Sequence, residues 1–481
     1  MKKDIEKSIS NLQEEEKIKK EIDKFVKLTS EFFNKENINN IALEEEFSQR
    51  NSKITGHLFL SIFVFGISIF GVPTFEQLAG LLNSVLSDKD ITRQAIYKRI
   101  TEKAEKFFEK ILSLAIELTI PNVIKLNILE EFKHIIIWDS TSFQLPKELA
   151  EYFKGSGGDA SNSAIKIQFG YDIKSGCFIH KLQDGTSSDS SYHNNFVEVF
   201  QKGDLVLRDL GYFNLRGLEE LDDKGTYFLS RLHQQNGTIL IQDFLGHWIK
   251  KDLLDLVYNL HEDIVEFDTY ITTTEHRFKA RLVIEKLSEQ MKNERLRKLR
   301  KTCQKQQRPL TKRAKILAGF NFFISNIDKK YLPMKQFRLL YAVRWQVELV
   351  FKSWKSNFSL HKFKSTKIHV VKTFLYAKLI FIFLTSKIIQ IAKSWVWKNY
   401  HKEVSEFRAH KYFKTIALKW MFAIVKYPDT IENILFDALK FISQSCIKQK
   451  KGDRKLPCEI LDKISDISLS NPLDTTNYVL S

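Results

Sequence analysis

Within the stretch YAVRWQVELVFKSWK, four side chains of different chemistry recur at helical spacing. At ~100° per residue, Tyr341, Arg344, Glu348 and Lys355 fall inside an arc of roughly 60°. One narrow stripe thus presents a phenol, a guanidinium, a carboxylate and an ammonium. Val343, Val347, Leu349 and Val350 supply an apolar side elsewhere on the helix, so the stripe need not be core. Two arrangements suit it: a solvated charged face, or a site that binds phosphates and a metal at once. Two further acids bear on the choice, because Asp139 closes the apolar run HIIIWD and Asp209 closes DLVLRD. Two strand-end aspartates and a helical glutamate make an all-oxygen site for hard cations. Mg²⁺ prefers that donor set, and two such ions about 4 Å apart activate a water or 3′-hydroxyl while stabilising the leaving oxygen. Arg344 and Lys355 would then hold phosphate oxygens, the first as a bidentate fork and the second as a point charge.

The elements that must position these groups follow from periodicity. Residues 1–125 read as helical. From about residue 130 the pattern turns to strands: HIIIWDSTSFQLP, then IKIQFGYDI and CFIHKLQDG as a hairpin broken at Lys174-Ser175-Gly176. A short helix over His193–Phe200 leads to the strand DLVLRD, a helix in LRGLEELDDKG and a fifth strand, TYFLSRL. Three consecutive strands, a helix, a strand, a helix and a strand are the order of a ribonuclease H-like core. In that order the ends of the first and fourth strands, with Asp139 and Asp209, come together on one side of the sheet. Strand-like segments GTILIQDFL, DIVEFDTYITT and HRFKARLVIEK fill residues 236–290, and a basic helix follows. FNFFISNI resumes as a strand, a long helix is predicted from about Pro333 to Asn357, and residues 366–450 read as helical.

Composition narrows the class. The 481 residues are 43% hydrophobic and 28% charged, which excludes a largely disordered chain. With 75 Lys+Arg against 58 Asp+Glu, the formal charge of +17 calls for a polyanionic partner. The excess is local: residues 281–320 and 361–420 carry it, and the rest is slightly acidic. These windows flank the stripe, as a two-sided clamp on a phosphate backbone would, although each alone also suits a solvated helix face. Four widely spaced cysteines fit neither a zinc site nor a disulfide framework and point to a reducing, cytoplasmic setting. Residues 54–75 carry no formal charge, but Gly66, Gly71, His57 and Pro73 interrupt them, so a buried core helix is expected rather than a membrane span. Thr74 can cap one helix, and Asp90 or Thr92 a second running to Lys103. This helix-turn-helix outline has Arg93, Gln94, Lys98 and Arg99 on its exposed face, with Arg93 and Arg99 as candidate DNA contacts.

The order Asp139, Asp209, Glu348, with Tyr-x2-Arg-x3-Glu-x6-Lys around the last, resembles the DDE transposases of bacterial insertion sequences. Within them it is similar to the cut-and-paste group defined by the Tyr-Arg-Glu-Lys pattern. A hydroxyl after the first acid (WDSTSFQLPKEL), a GSGG loop at Gly155–Gly158 and RDLGYFNL around the second acid fit too. RWQVELVFKSWKS looks closest to the larger members found in Bacillus-type bacteria. The resemblance covers about residues 130–365. It implies an α/β fold: a ribonuclease H-like catalytic core with a β-rich insertion between Asp209 and Glu348, flanked by helical N- and C-terminal regions. The corresponding organisation is a helical DNA-end-binding unit over 1–125, catalytic parts over 126–235 and 316–365, the insertion and basic helix over 236–315, and a helical, dimerising region over 366–481. It also implies an enzyme with Asp139, Asp209 and Glu348 as catalytic metal ligands for Mg²⁺, with Mn²⁺ able to substitute. Tyr341, Arg344 and Lys355 would contact the DNA end. Such an enzyme binds terminal inverted repeats in double-stranded DNA, frees a 3′-hydroxyl, cuts the second strand through a hairpin and transfers the end into target DNA within a synaptic homodimer.

Competing candidates are weaker. GSGG lacks a following GK[ST] and so is no nucleotide loop. Asp172 lies inside a hairpin strand, Asp184 and Asp189 in a loop, and His134 and His193 have no spacing for a transition-metal site. The rival reading of the whole chain is an inactive or domesticated transposase derivative that binds DNA as a regulator.

Overall fold

The computed structural model describes residues 30–449 except 49–51, 87–89, 118–130, 159, 175–177, 190–198, 233–237, 244, 259 and 273–276, plus isolated positions outside that range. The expected helix over His193–Phe200 and the break at Ser175-Gly176 fall at least partly outside the described residues.

Ten strands form one sheet in the order β3-β2-β1-β4-β5-β10-β9-β8-β6-β7. The first five are β1 (Ile135–Gln144), β2 (Ala164–Asp172), β3 (Phe178–Asp184), β4 (Leu205–Arg208) and β5 (Tyr227–Arg231). Strands β6 (Thr238–Gln242), β7 (Trp248–Lys251), β8 (Ile264–Thr272), β9 (Arg277–Lys286) and β10 (Phe320–Ser325) complete it. β1 runs antiparallel to β2 and parallel to β4, and β4 runs parallel to β5. The β-rich segment does not stand apart. β9 pairs with β10 and β10 with β5, so β6 to β9 prolong the same sheet.

Before β1 lie α1 (Lys35–Glu44), α2 (Gly56–Phe70), α3 (Phe75–Val85), α4 (Arg93–Tyr97) and α5 (Glu102–Glu117). Within and after the strands come α6 (Leu215–Asp223), α7 (Leu253–Tyr258), α8 (Glu289–Lys305) and α9 (Lys312–Leu317). After β10 come α10 (Phe337–Ala342), α11 (Trp345–Phe358), α12 (Ile368–Tyr400), α13 (Glu406–Lys426) and α14 (Ile431–Ser445). Thr55, Thr74 and Thr92 cap α2, α3 and α4 through their hydroxyls, and Gln77 closes a capping box with Thr74. The uncharged α2 is almost wholly buried and stops at Gly71, whose φ of 76° suits glycine. A Cβ on Gly66 would lie 2.7 Å from the Leu78 Cδ2 methyl and would have to push it aside, so glycine here lets α3 sit close against α2. Ile368–Trp397 is the one described helix long and apolar enough by itself to cross a membrane; 94% of its apolar window is buried inside the protein.

Strand alternation divides the interior in two. Ile135, Ile137, Phe143 and Leu207 face a large core with α2, α5, α10, α11, α12 and α13. Ile136, Trp138, Val206, Phe322 and Ile324 face a second core with α6, α7 and Leu317 of α9. α9 therefore covers the face opposite to α11, and its Arg313 pairs with Asp252 at 2.6 Å. Lys312 and Arg313 thus leave the expected two-sided clamp, which took them to share the face of the stripe.

Two expected helices are broken. The one expected from Asp90 to Lys103 is the single turn of α4 and then α5, joined by Arg99 N–H to Ile96 O and Ile100 N–H to Tyr97 O bonds. The long helix before Asn357 is a 3₁₀ turn at Met334–Gln336, then α10, then α11. At the joint, Val343 N–H donates to Leu340 O and Arg344 N–H to Tyr341 O, three residues back rather than four. The tightened turn falls on Arg344.

Candidate active site

Parity and register bring the first two acids together. On β1, Asp139 shares a face with Ile137 and Phe143, the face under α11. Trp138 pairs with Arg208 across the parallel β1–β4 ladder, so Asp139 and Asp209 are the next residues on adjacent strands. Leu207 belongs to the same core as Ile137, so Asp209, which N-caps the 3₁₀ turn Leu210–Tyr212, leaves β4 on that side too. Helix α11 is held over them by Trp354 and Phe351, whose rings lie 4.8 and 5.4 Å from Phe169 of β2.

The third acid completes the group around one cation. Arg344 Nη2 donates to Glu348 Oε1 at 3.0 Å, Nη1 to Asp139 Oδ2 at 3.4 Å, and Nε lies 3.9 Å from Asp209 Oδ1. Tyr341 Oη donates to Asp209 Oδ1 at 3.4 Å, and the Arg344 guanidinium lies 5.9 Å from the Tyr341 ring. Asp139, Asp209, Glu348, Tyr341 and Arg344 thus form one cluster, in which a single guanidinium touches all three carboxylates. Burial alone would lower the Arg344 guanidinium; Asp209 and the other groups around it outweigh that and hold it above its ordinary value. Burial pushes Asp139 up to about 6, with its neighbouring acids adding to the rise and the Ser140 amide and Arg344 opposing it. Burial also raises the Tyr341 phenol, as does Asp209.

Lys355 sits two turns beyond Glu348 on α11, half-buried, and burial lowers its ammonium. It makes no ion pair among the described residues. Arg93 is exposed on α4 beside Gln94 and Lys98. Arg99 differs: its guanidinium donates to Ile54 O at 3.4 Å and to Ser52 Oγ, pinning the segment ahead of α2. Neither arginine lies in the cluster around Arg344. The rejected acids have their own work. Asp172 holds His134 at 3.0 Å and the amides of Ile135 and Lys174, and Asp184 caps its turn through Thr186 and Ser187. Asp189 accepts from Lys166 and Gln168.

Among the described residues, no group of three His, Cys, Asp or Glu stands close enough to hold a metal in this arrangement, because Arg344 stands between the acids. The donor chemistry nevertheless fits a hard cation. Three carboxylates share one guanidinium, and burial raises Asp139, with Asp209 and Glu348 adding to the rise. The acids would take divalent ions once Arg344 turns to another anion.

What sequence reasoning missed is the central place of Arg344, and Lys378. Buried on α12, Lys378 donates to Ser359 O at 2.8 Å and Lys362 O at 2.9 Å, fixing the turn that ends α11. The signal was available as a lone lysine inside the apolar run FLYAKLIFIF.

Residues 130–384, which contain the three acids and the whole stripe, match the Transposase DDE domain family. The chain belongs to that family. It is 32% identical over 456 residues to the transposase for insertion sequence element IS1151 of Clostridium perfringens, covering 91% of this chain and 96% of the relative. It is 28% identical over 470 residues to the transposase for IS231F of Bacillus thuringiensis subsp. israelensis, covering 94% and 97%. These transposases match along nearly their whole length, including the helical regions on either side of the DDE domain.

One result is expected of the metal-free cluster of Asp139, Asp209 and Glu348 itself. Asp139 binds its proton more tightly folded than unfolded, so its ionisation costs stability as pH rises from the ordinary Asp range through about 6. Asp139→Asn should therefore raise the melting temperature at pH 8, by an equivalent of about 1–3 kcal/mol, and have little effect at pH 4. Thermal melts at the two pH values in a chelator check this; equal shifts at both would show that the carboxyl is not raised.

Proposed function

We propose that this transposase is a divalent-metal-dependent enzyme that binds the terminal inverted repeats of an insertion sequence, cleaves at their ends and joins them to target DNA. The carrying observation is the convergence of Asp139 from the middle of β1, Asp209 from the end of the adjacent β4 and Glu348 from one helix on a single guanidinium inside a transposase DDE domain. The order β3-β2-β1-β4-β5, with β1, β4 and β5 parallel, supports a ribonuclease H-like core. Bound Mg²⁺, or Mn²⁺ in its place, would activate a water or 3′-hydroxyl and stabilise the leaving oxygen. Asp139, Asp209 and Glu348 are the residues to hold it. Arg344 and Lys355 neutralise phosphates next to the cut, and Tyr341 orients Asp209 and meets the DNA end. Arg93, with Gln94 and Lys98, offers an exposed edge for the repeat. We assign the helical N-terminal unit to end binding and the helices after 366 to contacts within a synaptic homodimer, acting in the cytoplasm. The test is a duplex carrying the inverted repeats that flank the gene, incubated with the purified chain and Mg²⁺. A new 3′-hydroxyl at the repeat end is expected; intact DNA in a stable complex would favour a non-cutting regulator.

The DNA path follows the face of α11. Phe363 stacks on Phe143 of β1, with ring centroids 5.7 Å apart, so the loop bearing Lys362, Lys364 and Lys367 lies on that same face. Affinity should fall with salt at a log–log slope of about −0.9 per neutralised phosphate. Lys362→Glu with Lys364→Glu should flatten that slope by roughly two units, since each lost phosphate contact removes close to one. Filter-binding titrations across salt concentrations measure it, and an unchanged slope would make this loop solvated surface.

A further inference from the structure

We propose that Tyr212 is a positioning residue of this active site: its hydroxyl, bound to Gln168 of β2, fixes from behind the sheet the turn that carries Asp209. This rests on the metal-dependent cleavage reading and adds a residue buried away from the DNA. Asp209 needs such a hold. The ladders of β4 end at Arg208 opposite Trp138 and at Leu207 opposite Leu229, so Asp209 lies past the last strand pair. Its side chain, 47% exposed, meets Tyr341 at 3.4 Å and Arg344 at 3.9 Å. Such long contacts turn the carboxylate without fixing the backbone beneath it. The 3₁₀ turn that follows is closed by Tyr212 N–H donating to Asp209 O at 3.0 Å and Phe213 N–H donating to Leu210 O at 3.0 Å. Tyr212 is the last residue of that turn and is buried in the second core.

Gln168 anchors it there. Tyr212 Oη donates to Gln168 Oε1 at 2.6 Å, and Trp138 Nε1 donates to the same oxygen at 3.3 Å. Gln168 Nε2 donates to Asp189 Oδ1 at 3.0 Å and to Gln183 Oε1 at 3.2 Å. Both lone pairs and both N–H groups of the buried amide are thus used. Its direction is set as well. The Asp189 carboxylate, which pairs with Lys166 at 3.3 Å, can only accept, so the NH₂ faces it and the oxygen faces Tyr212. The phenol must then be the donor, a role phenylalanine cannot fill. Register links this bond to the other two acids. Phe169, the next residue, points to the opposite face of the sheet and pairs with Asp139 across the β1–β2 ladder. It carries α11, and with it Glu348, through Phe351 and Trp354. Two successive residues of β2 therefore hold the Glu348 helix from the front and the Asp209 turn from behind, with Asp139 beside them.

The experiment measures Mn²⁺ binding by electron paramagnetic resonance in a complex of the chain with a terminal-repeat duplex already ending at its 3′-hydroxyl. Melting curves in chelator, repeat affinity and single-turnover cleavage of intact ends across Mg²⁺ concentrations accompany it. Tyr212→Phe should weaken Mn²⁺ binding, and raise the Mg²⁺ needed for half-maximal cleavage, by roughly 10- to 100-fold, as loss of a group that orients a metal ligand does. Repeat affinity and melting temperature should change little, because the ring still fills its place in the core. Gln168→Met, which keeps the length and loses the acceptor, should weaken Mn²⁺ binding too, and adding Tyr212→Phe to it should have no further effect. Unchanged Mn²⁺ affinity in Tyr212→Phe overturns the positioning role. So does a parallel loss of Mn²⁺ binding, repeat affinity and melting temperature, which would make the bond merely structural. Additive losses in the double variant overturn the route through Gln168. A wild-type chain that binds the repeat but neither takes up Mn²⁺ nor cleaves overturns the metal-dependent reading itself.

Discussion

Asp139→Ala, Asp209→Ala and Glu348→Ala should each lower strand cleavage by roughly 10³-fold or more, because on the proposed function each removes a metal ligand from a site that supplies several kcal/mol of transition-state stabilisation. Binding of the terminal repeat should change far less, since the acids repel phosphate and dock nothing themselves. The pattern distinguishes the three acids from others nearby. Asp172 and Asp184 have amide or hydroxyl donors of their own, and Asp172→Asn should affect folding before catalysis. Single-turnover cleavage with parallel gel-shift measurements reads both quantities. Retention of more than about a tenth of wild-type cleavage by any of the three alanine variants would remove that residue from the site.

The second large effect belongs to Arg344, which on the proposed function serves the protein in two states. In the metal-free chain it is the counter-charge for three carboxylates, and with its side chain only 12% exposed it is poorly replaced by water. Arg344→Ala should lower metal-free stability by about 1–3 kcal/mol, discounted because Asp209 and Glu348 are partly solvated. Millimolar Mg²⁺ should restore most of that loss, since a divalent cation can replace the missing charge. Cleavage should still fall, by roughly 10²-fold or more, because the phosphate loses its bidentate partner. Lysine at 344 should rescue stability better than cleavage, since a point charge cannot span three acids and then grip a phosphate as a fork. Melting curves with and without Mg²⁺ separate the roles, and an Arg344→Ala loss of stability that Mg²⁺ does not relieve would deny the shared site.

Much of this cluster was legible in the chain. Strand alternation and the apolar runs ending in Asp139 and Asp209 placed both acids at neighbouring strand ends; the β1–β4 register does set them side by side, but Asp139 lies mid-strand, because β1 runs on to Gln144 against β2. Spacing alone put Tyr341, Arg344 and Glu348 on one stripe. Other features were not local. The break at Val343–Arg344 has no proline or glycine to announce it; it arises from hydrogen bonds shortened by one residue in a turn packed between acids. The pairing of β9 with β10 and of β10 with β5 joins segments far apart in sequence, so periodicity showed strands without showing that they prolong the catalytic sheet. Charge counting likewise could not tell which face of the sheet a basic helix covers. Ile316 and Leu317 decide that for α9 by packing into the second core, and they carry Lys312 and Arg313 to the far side. Arg99 looked as available to DNA as Arg93 in the sequence, until the tertiary fold brought Ser52 and Ile54 within its reach.

Metal-directed cleavage of the polypeptide tests the shared metal site most directly. Fe²⁺ loaded in place of Mg²⁺, with ascorbate and peroxide, produces radicals that cut the backbone beside its ligands, and mass spectrometry locates the cuts. Fragments ending near Asp139, Asp209 and Glu348 are expected together, suppressed by excess Mg²⁺ and lost in Asp139→Ala. Cuts confined to other acids, or at no more than one of these three segments, would contradict a common site.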